Sequence, residues 1–290
     1  MGVLQEAATV TSPTRLQCRE SAGIAYLANE GGHGNPLVLL HGIGSNAQSF
    51  AALMQAVGSE RPILAWDAPG YGRSQPLPSD WPSADDYAEA LAALLDRLGI
   101  RQHDLLGHSL GALIAGRFAV RHPELVAALY LVSPALGYRT TPHAPLSPPA
   151  ANRLTALLEE GAERFAASRG PKLLVRPDDI PDVRSAVIDA MSQVKLPGYA
   201  QASRMLSCAD LIADAAGIET TTIVAVGEQD TVTPPANCRR VYDALIAATP
   251  HFPHRFELIA AAGHAVVQEQ PAAVARLVAA ALDGRRERAN

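Results

Sequence analysis

The sequence predicts an α/β protein whose mostly parallel, eight-stranded sheet is covered by helices on both faces and interrupted by one helical insertion. Three observations carry this. Short continuous runs of Val, Leu, Ile and Ala alternate with helix-patterned stretches from Pro36 to Arg121, as strands buried on both faces require. One such run ends in Gly107-His108-Ser109-Leu110-Gly111, a G-x-S-x-G sequence at a strand-to-helix junction. The alternation then stops between about 136 and 212 and resumes for two strands and a closing helix.

Arg15 to Cys18 and Ile24 to Ala28, joined through Ser21-Ala22-Gly23, read as an antiparallel hairpin at the sheet edge. Parallel strands are predicted over 36–40, 62–66, 103–106, 125–132, 221–226 and 254–260. Helices are predicted over about 47–57, 84–98, 110–121, 235–247 and 271–283, the second ended by Gly99 and the last opened by Pro271. The insertion begins in a stretch carrying Pro142, Pro145, Pro148 and Pro149. Short helices over 154–167, 183–193 and 200–206 follow, with no strand between them. Residues 14–135 and 213–284 then form the core and 136–212 a cap, with flexible tails expected at 1–13 and 285–290.

The G-x-S-x-G context makes Ser109 a candidate nucleophile, because a sharp strand-to-helix turn pushes the hydroxyl out of the backbone path and flanking glycines leave room for it. A serine hydroxyl needs a base to take its proton and a carboxylate to orient that base. The strand 222–226 ends in Gly227-Glu228-Gln229-Asp230, which offers Asp230 as the acid and Glu228 as its competitor. A placement after the preceding strand fails because Ser133-Pro134-Ala135 holds no carboxylate. Past the last strand, Gly263-His264 offers the base. His33, His122, His143, His251 and His254 fall in loops or at helix ends, where solvation or capping is expected. Asp67, Asp104 and Asp210 are expected in turns and caps.

With His41-Gly42-Ile43-Gly44 directly after strand 36–40, and Asp67-Ala68-Pro69-Gly70-Tyr71-Gly72-Arg73-Ser74 after strand 62–66, the chain resembles the α/β-hydrolase superfamily in its serine-nucleophile branch. The resemblance covers about 36 to 283 and includes enol-lactonases, carboxylesterases and meta-cleavage-product hydrolases. It implies the order Ser, Asp, His found here and an oxyanion hole made by the backbone N–H groups of Ile43 and Leu110. It also implies a substrate cleft under the cap. His41, Gly42, His108 and Val232 around the strand ends, and Tyr138, Arg139, Met191 and Arg204 in the cap, are the candidates for lining it. Related dehalogenases and epoxide hydrolases carry an aspartate at the elbow, so serine favours acyl chemistry. Ala265 after His264 departs from the aromatic residue common in C–C hydrolases, which favours an ester or lactone. C–C bond hydrolysis, a lyase reaction and a non-catalytic ligand receptor are the alternatives.

Composition fits this class. The 290 residues, 48% hydrophobic and 18% charged, suffice for a large core. A net charge of -5 gives no basic footprint for nucleic acid; the one dense basic run is Arg285-Arg286-Glu287-Arg288. No apolar run has the length of a membrane span. Three scattered cysteines suggest neither a disulfide framework nor a metal site, so no metal or organic cofactor is expected. The chain opens without a basic segment followed by an apolar one, and Glu6 stands where an N-acylation site needs Ser or Thr, so a cytoplasmic location is expected. The expected partner is a small-molecule substrate, with a homodimer compatible with the sequence.

Overall fold

Ala22 and Gly23 turn the chain back on itself with φ of 52° and 74°, pairing β1 (Leu16–Ser21) antiparallel with β2 (Ile24–Asn29). The computed structural model describes residues 14–289. Six more strands follow: β3 (Leu37–Leu40), β4 (Ile63–Trp66), β5 (His103–His108), β6 (Val126–Val132), β7 (Thr222–Gly227) and β8 (Arg255–Ile259). They form one sheet in the order β1-β2-β4-β3-β5-β6-β7-β8, antiparallel at β1/β2 and β2/β4 and parallel elsewhere. The sequence prediction of eight strands and an edge hairpin holds, with boundaries moved by one to three residues at hairpin strand β1, where backbone pairing with β2 extends the strand to Ser21.

Because β3 lies between β4 and β5, the chain leaves β3 toward one edge and returns past it toward the other. In an open parallel sheet, loops at the carboxyl ends of the strands diverge at such a reversal and leave a crevice. The His41-Gly42 turn and the Ser109 turn both sit there, with Leu40 paired to Gly107 in register.

Helices cover both faces. On one side, Leu37 and Leu39 of β3 pack with Leu53 and Met54 of α1 (Ala51–Val57) and with Val274 and Val278 of the closing helix. On the other, Val38 and Leu40 pack with Leu91, Leu94 and Leu95 of α2 (Ala84–Arg97) and with the apolar face of α3 (Leu110–Arg121). Ser83 and Asp86 close a reciprocal capping box at the start of α2. The helix expected over 47–57 opens as a 3-10 turn over Ala47–Phe50, capped by the Asn46 side chain, before α1 begins.

Between β6 and β7 the chain forms α4 (Pro148–Arg169), α5 (Pro181–Ser192), α6 (Gly198–Cys208) and the short α7 (Leu211–Ala215), with no strand among the described residues of this segment. Sequence reasoning started α4 six residues late, because the prolines read as loop. Pro148 and Pro149 instead occupy its first turn, where a missing N–H costs nothing. Gly161, at φ 76°, breaks α4 in its middle. After β7 come α8 (Pro235–Ala248), α9 (Val266–Glu269) and α10 (Pro271–Ala289). The tail expected from 285 is instead helical to Ala289, since Arg, Glu and Ala sustain a helix already begun. The expectation for 1–13 falls outside the described residues.

Asp104, expected in a turn, is buried and ion-paired to Arg61 at 3.0 Å. Backbone approaches backbone closely at the Ser109 turn. A Cβ placed on Gly111 would stand 2.1 Å from the Leu40 carbonyl oxygen, and one on Gly107 would stand 2.3 Å from the Gly111 carbonyl oxygen. Gly111→Ala must therefore push α3 away from β3, and we expect a loss of about 1–3 kcal/mol or more of unfolding free energy, measured by urea denaturation; an unchanged midpoint would contradict the close contact.

Candidate active site

Ser109 stands between β5 and α3 at φ 56° and ψ −113°, a conformation that a residue with a Cβ rarely adopts. Neighbouring backbone holds it there, for its N–H donates to the Val132 carbonyl at 3.0 Å and its carbonyl accepts from Ala112 and Ala135. Its Oγ lies 3.0 Å from His264 Nε2. On the far side of the ring, His264 Nδ1 lies 2.9 Å from Asp230 Oδ2. A carboxylate can only accept, so Nδ1 carries the proton and Nε2 presents its lone pair to the serine hydroxyl.

Asp230 is buried and fully engaged. Its Oδ1 accepts from the N–H groups of Val232 at 2.8 Å and Thr233 at 2.9 Å, and its Oδ2 accepts from the Thr233 hydroxyl at 2.9 Å as well as from His264. Burial pushes the Asp230 carboxyl up, but the hydrogen bonds from His264 and Thr233 outweigh it and hold the group at about 2. Glu228, its competitor in the sequence, is exposed. Thr233 was not anticipated; the one sequence signal for it is a threonine three residues after an aspartate, the spacing of a local side-chain cap.

His264 is positioned from its backbone. Its carbonyl accepts from His108 Nε2 at 2.7 Å, and burial, with His264 beside it, lowers His108 to about 3, so that ring is neutral. Glu269 accepts from Gly263 N–H and Val175 N–H, both at 2.7 Å, and Ala265 N–H donates to the Leu173 carbonyl at 3.0 Å. The loop holding His264 is thus tied to the segment between α4 and α5. No sequence pattern pointed to Glu269, which ties Gly263, six residues before it, to Val175, 94 residues before it.

His41 lies behind the turn rather than in the cleft. Its Nε2 accepts from Ala68 N–H at 3.0 Å, which leaves the proton on Nδ1 to donate to the Gly42 carbonyl at 2.8 Å. The Tyr71 hydroxyl donates to the Ile43 carbonyl at 2.9 Å. These bonds hold the 42–44 turn against Ser109, close enough that a Cβ on Gly42 would stand 3.1 Å from Ser109 Cβ. Leu110 N–H is the first of α3 and has no carbonyl one turn earlier to bind.

A cavity of about 480 Å³ opens over Ser109 and His264. Of the sequence candidates, Gly42, Ile43, His108, Tyr138, Met191 and Val232 line it. Arg139 and Arg204 do not. Arg139 turns toward Asp210 at 3.9 Å, while Arg204 lies over the Trp81 ring at 5.3 Å and donates to the Asp80 carbonyl. Both point away because their cations find partners outside the cleft. Sequence reasoning passed over Arg153, Arg169 and Lys172, which do line it. Arg153 and Leu157 before the break at Gly161, and Phe165 and Arg169 after it, each stand four residues apart, and that spacing was the available signal. His254, expected to be solvated, is buried and accepts from Thr222 N–H at 3.2 Å. Among the described residues, no cluster of His, Cys, Asp and Glu could hold a metal ion, and no helix is long and apolar enough to cross a membrane.

The chain is 29% identical to a pimeloyl-[acyl-carrier protein] methyl ester esterase of Shewanella woodyi over 79% of this chain and 92% of that protein. It is 28% identical to the dihydrolipoyllysine-residue acetyltransferase component of an acetoin cleaving system of Pseudomonas putida, matching over 81% of its own length and spanning 62% of that protein. Among solved structures, the enol-lactonase of Burkholderia xenovorans LB400 shares the fold with a TM-score of 0.77 at 21% identity, covering 92% of this chain and all of that one, 100%. A model of the alpha/beta hydrolase family matches residues 37–277, and the chain belongs to that family.

Proposed function

We propose that this hydrolase cleaves a small carboxylic ester or lactone through an acyl-enzyme on Ser109, with His264 as base and Asp230 as its orienting acid. The observation that carries the reading is the continuous hydrogen-bonded line from Ser109 through His264 to Asp230, at 3.0 and 2.9 Å. His264 Nε2 takes the hydroxyl proton as Oγ attacks the carbonyl carbon, and Asp230 stabilises the imidazolium that results. The N–H groups of Ile43 and Leu110 receive the charge on the carbonyl oxygen; loss of one such donor raises a barrier by about 3 kcal/mol. His264 then protonates the departing alkoxide, and water, deprotonated by the same nitrogen, releases the acid.

A panel of p-nitrophenyl esters, enol-lactones and vinylogous diketones tests this reading. Turnover of the diketones alone would replace it with C–C bond hydrolysis, and absence of labelling by a fluorophosphonate would replace it with a receptor. Ser109→Ala and His264→Ala should each lower kcat by several orders of magnitude without altering the circular dichroism spectrum, because triad members act as a unit. Asp230→Asn should reduce kcat far more than Glu228→Gln; the reverse ranking would move the acid to Glu228.

The ionised Asp230 also contributes to stability. Its folded-state value of about 2 lies below the ordinary 3.8, so the contribution is complete above about pH 4 and is lost as pH falls through about 2. In urea denaturation, the difference between wild type and Asp230→Asn should be constant above pH 5 and should shrink by on the order of 2 kcal/mol as pH approaches 2. A difference independent of pH would contradict it.

A further inference from the structure

The cap side of the cavity is cationic and holds no carboxylate. Arg153 and Arg169 of α4 and Lys172, just beyond it, all line the space above Ser109, while none of the residues lining it is Asp or Glu. This runs against the overall charge of -5. Helical neighbours do not neutralise them: one turn either side of Arg153 stand Pro149, Ala150, Ala156 and Leu157, and one turn before Arg169 stand Phe165 and Ala166. The acidic residues of α4, Glu159, Glu160 and Glu163, are exposed. Among the described residues none of the three cations makes an ion pair within 4.0 Å.

Arg153 is the centre of this arrangement. Its Nε and Nη2 are sealed from solvent and have no hydrogen-bond partner. These two nitrogens form the edge of the guanidinium that takes a carboxylate in a paired, two-point contact. Sealed guanidinium nitrogens left without a partner are costly, and an anion brought in from outside would satisfy them. Arg169 is held in place over the Phe165 ring at 5.2 Å, and Phe165 packs edge-on to Tyr199 at 5.7 Å. Lys172, exposed, stands nearer solvent and draws anions in.

We infer that Arg153, flanked by Arg169 and Lys172, binds a carboxylate carried by the substrate, so that the preferred substrate is a half-ester or carboxylated lactone of a small dicarboxylic acid. The inference rests on the proposed ester or lactone hydrolysis for its substrate, but the subsite itself is independent of turnover. The cavity, at about 480 Å³, accommodates an acyl chain of a few carbons between Ser109 and the guanidinium.

Calorimetric titration of the native protein with succinate, glutarate and adipate, none of which can be hydrolysed, tests the subsite directly. One of the three should bind, at least tenfold more tightly than its neutral dimethyl ester and than inorganic phosphate. Arg153→Met should weaken that binding at least tenfold, Arg153→Lys should restore part of it, and the surface variant Arg101→Met should leave it unchanged. With the matching monomethyl esters as substrates, Arg153→Met should lower kcat/KM at least tenfold more than it lowers kcat/KM for methyl butyrate; an equal loss on both substrates overturns the subsite. Should Arg153→Met fail to fold, as judged by circular dichroism, Arg169→Met replaces it with a smaller expected loss in the same direction. Absence of diacid binding, binding indifferent to both arginine variants, or tighter binding of phosphate overturns the carboxylate subsite even if neutral esters are hydrolysed. Binding of the diacid with no hydrolysis of any ester leaves the subsite standing and removes the proposed reaction instead.

Discussion

The structure depends on one close approach of backbone to backbone. Helix α3 meets strand β3 with no space for a side chain at Gly111, and Gly107 leaves β5 with equally little room beneath the helix. That contact forces the chain between them through a turn so tight that Ser109 takes a positive φ. Such a conformation costs of order 1–3 kcal/mol. Apolar packing of α3 on both its neighbours offsets it, with Leu110, Leu113, Ile114 and Phe118 all in the core. A strained serine at a strand end is stable here because the sheet and helix are rigid on either side of it.

Two further constraints follow from where that turn lies. The reversal of strand order beside β3 brings the 42–44 turn alongside Ser109, so the two share one crevice without any sequence proximity. The carboxyl ends of β7 and β8 then deliver Asp230 and His264 to the same rim. In each case the residue is held through main-chain atoms: Asp230 accepts two N–H groups from its own turn, and His264 is fixed through its carbonyl and the backbone on either side. Side chains that must stay chemically free are positioned by atoms that are not.

The cap contributes differently. Its helices carry polar groups whose role is visible only against the cavity they close: Arg153 with two unmatched nitrogens, Arg169 on an aromatic ring, and Glu269, from the hydrolase core, gripping the cap backbone at Val175. The line from Ser109 through His264 to Asp230 is assembled on the sheet and the cationic side chains on the helices above it, and Glu269 joins the two.

Read by itself, the sequence determined the strands, the helices that cover them, the place of the insertion and the three residues that meet in the candidate site. Each of those signals is local: an apolar run buried on both faces, a glycine on either side of a serine, a carboxylate or imidazole just past a strand end. Tertiary structure alone decided which of several polar groups face inward. Arg139 and Arg204 are chemically equivalent to Arg153 and Arg169, yet the first two find Asp210 and Trp81 outside the cleft while the latter two line it. The same holds for Asp104, whose burial with Arg61 no turn pattern foretold, and for Glu269, which reaches the Val175 N–H far away in sequence. Periodicity records which face of an element is apolar; the direction of a long charged side chain depends on what the rest of the chain has placed within its reach.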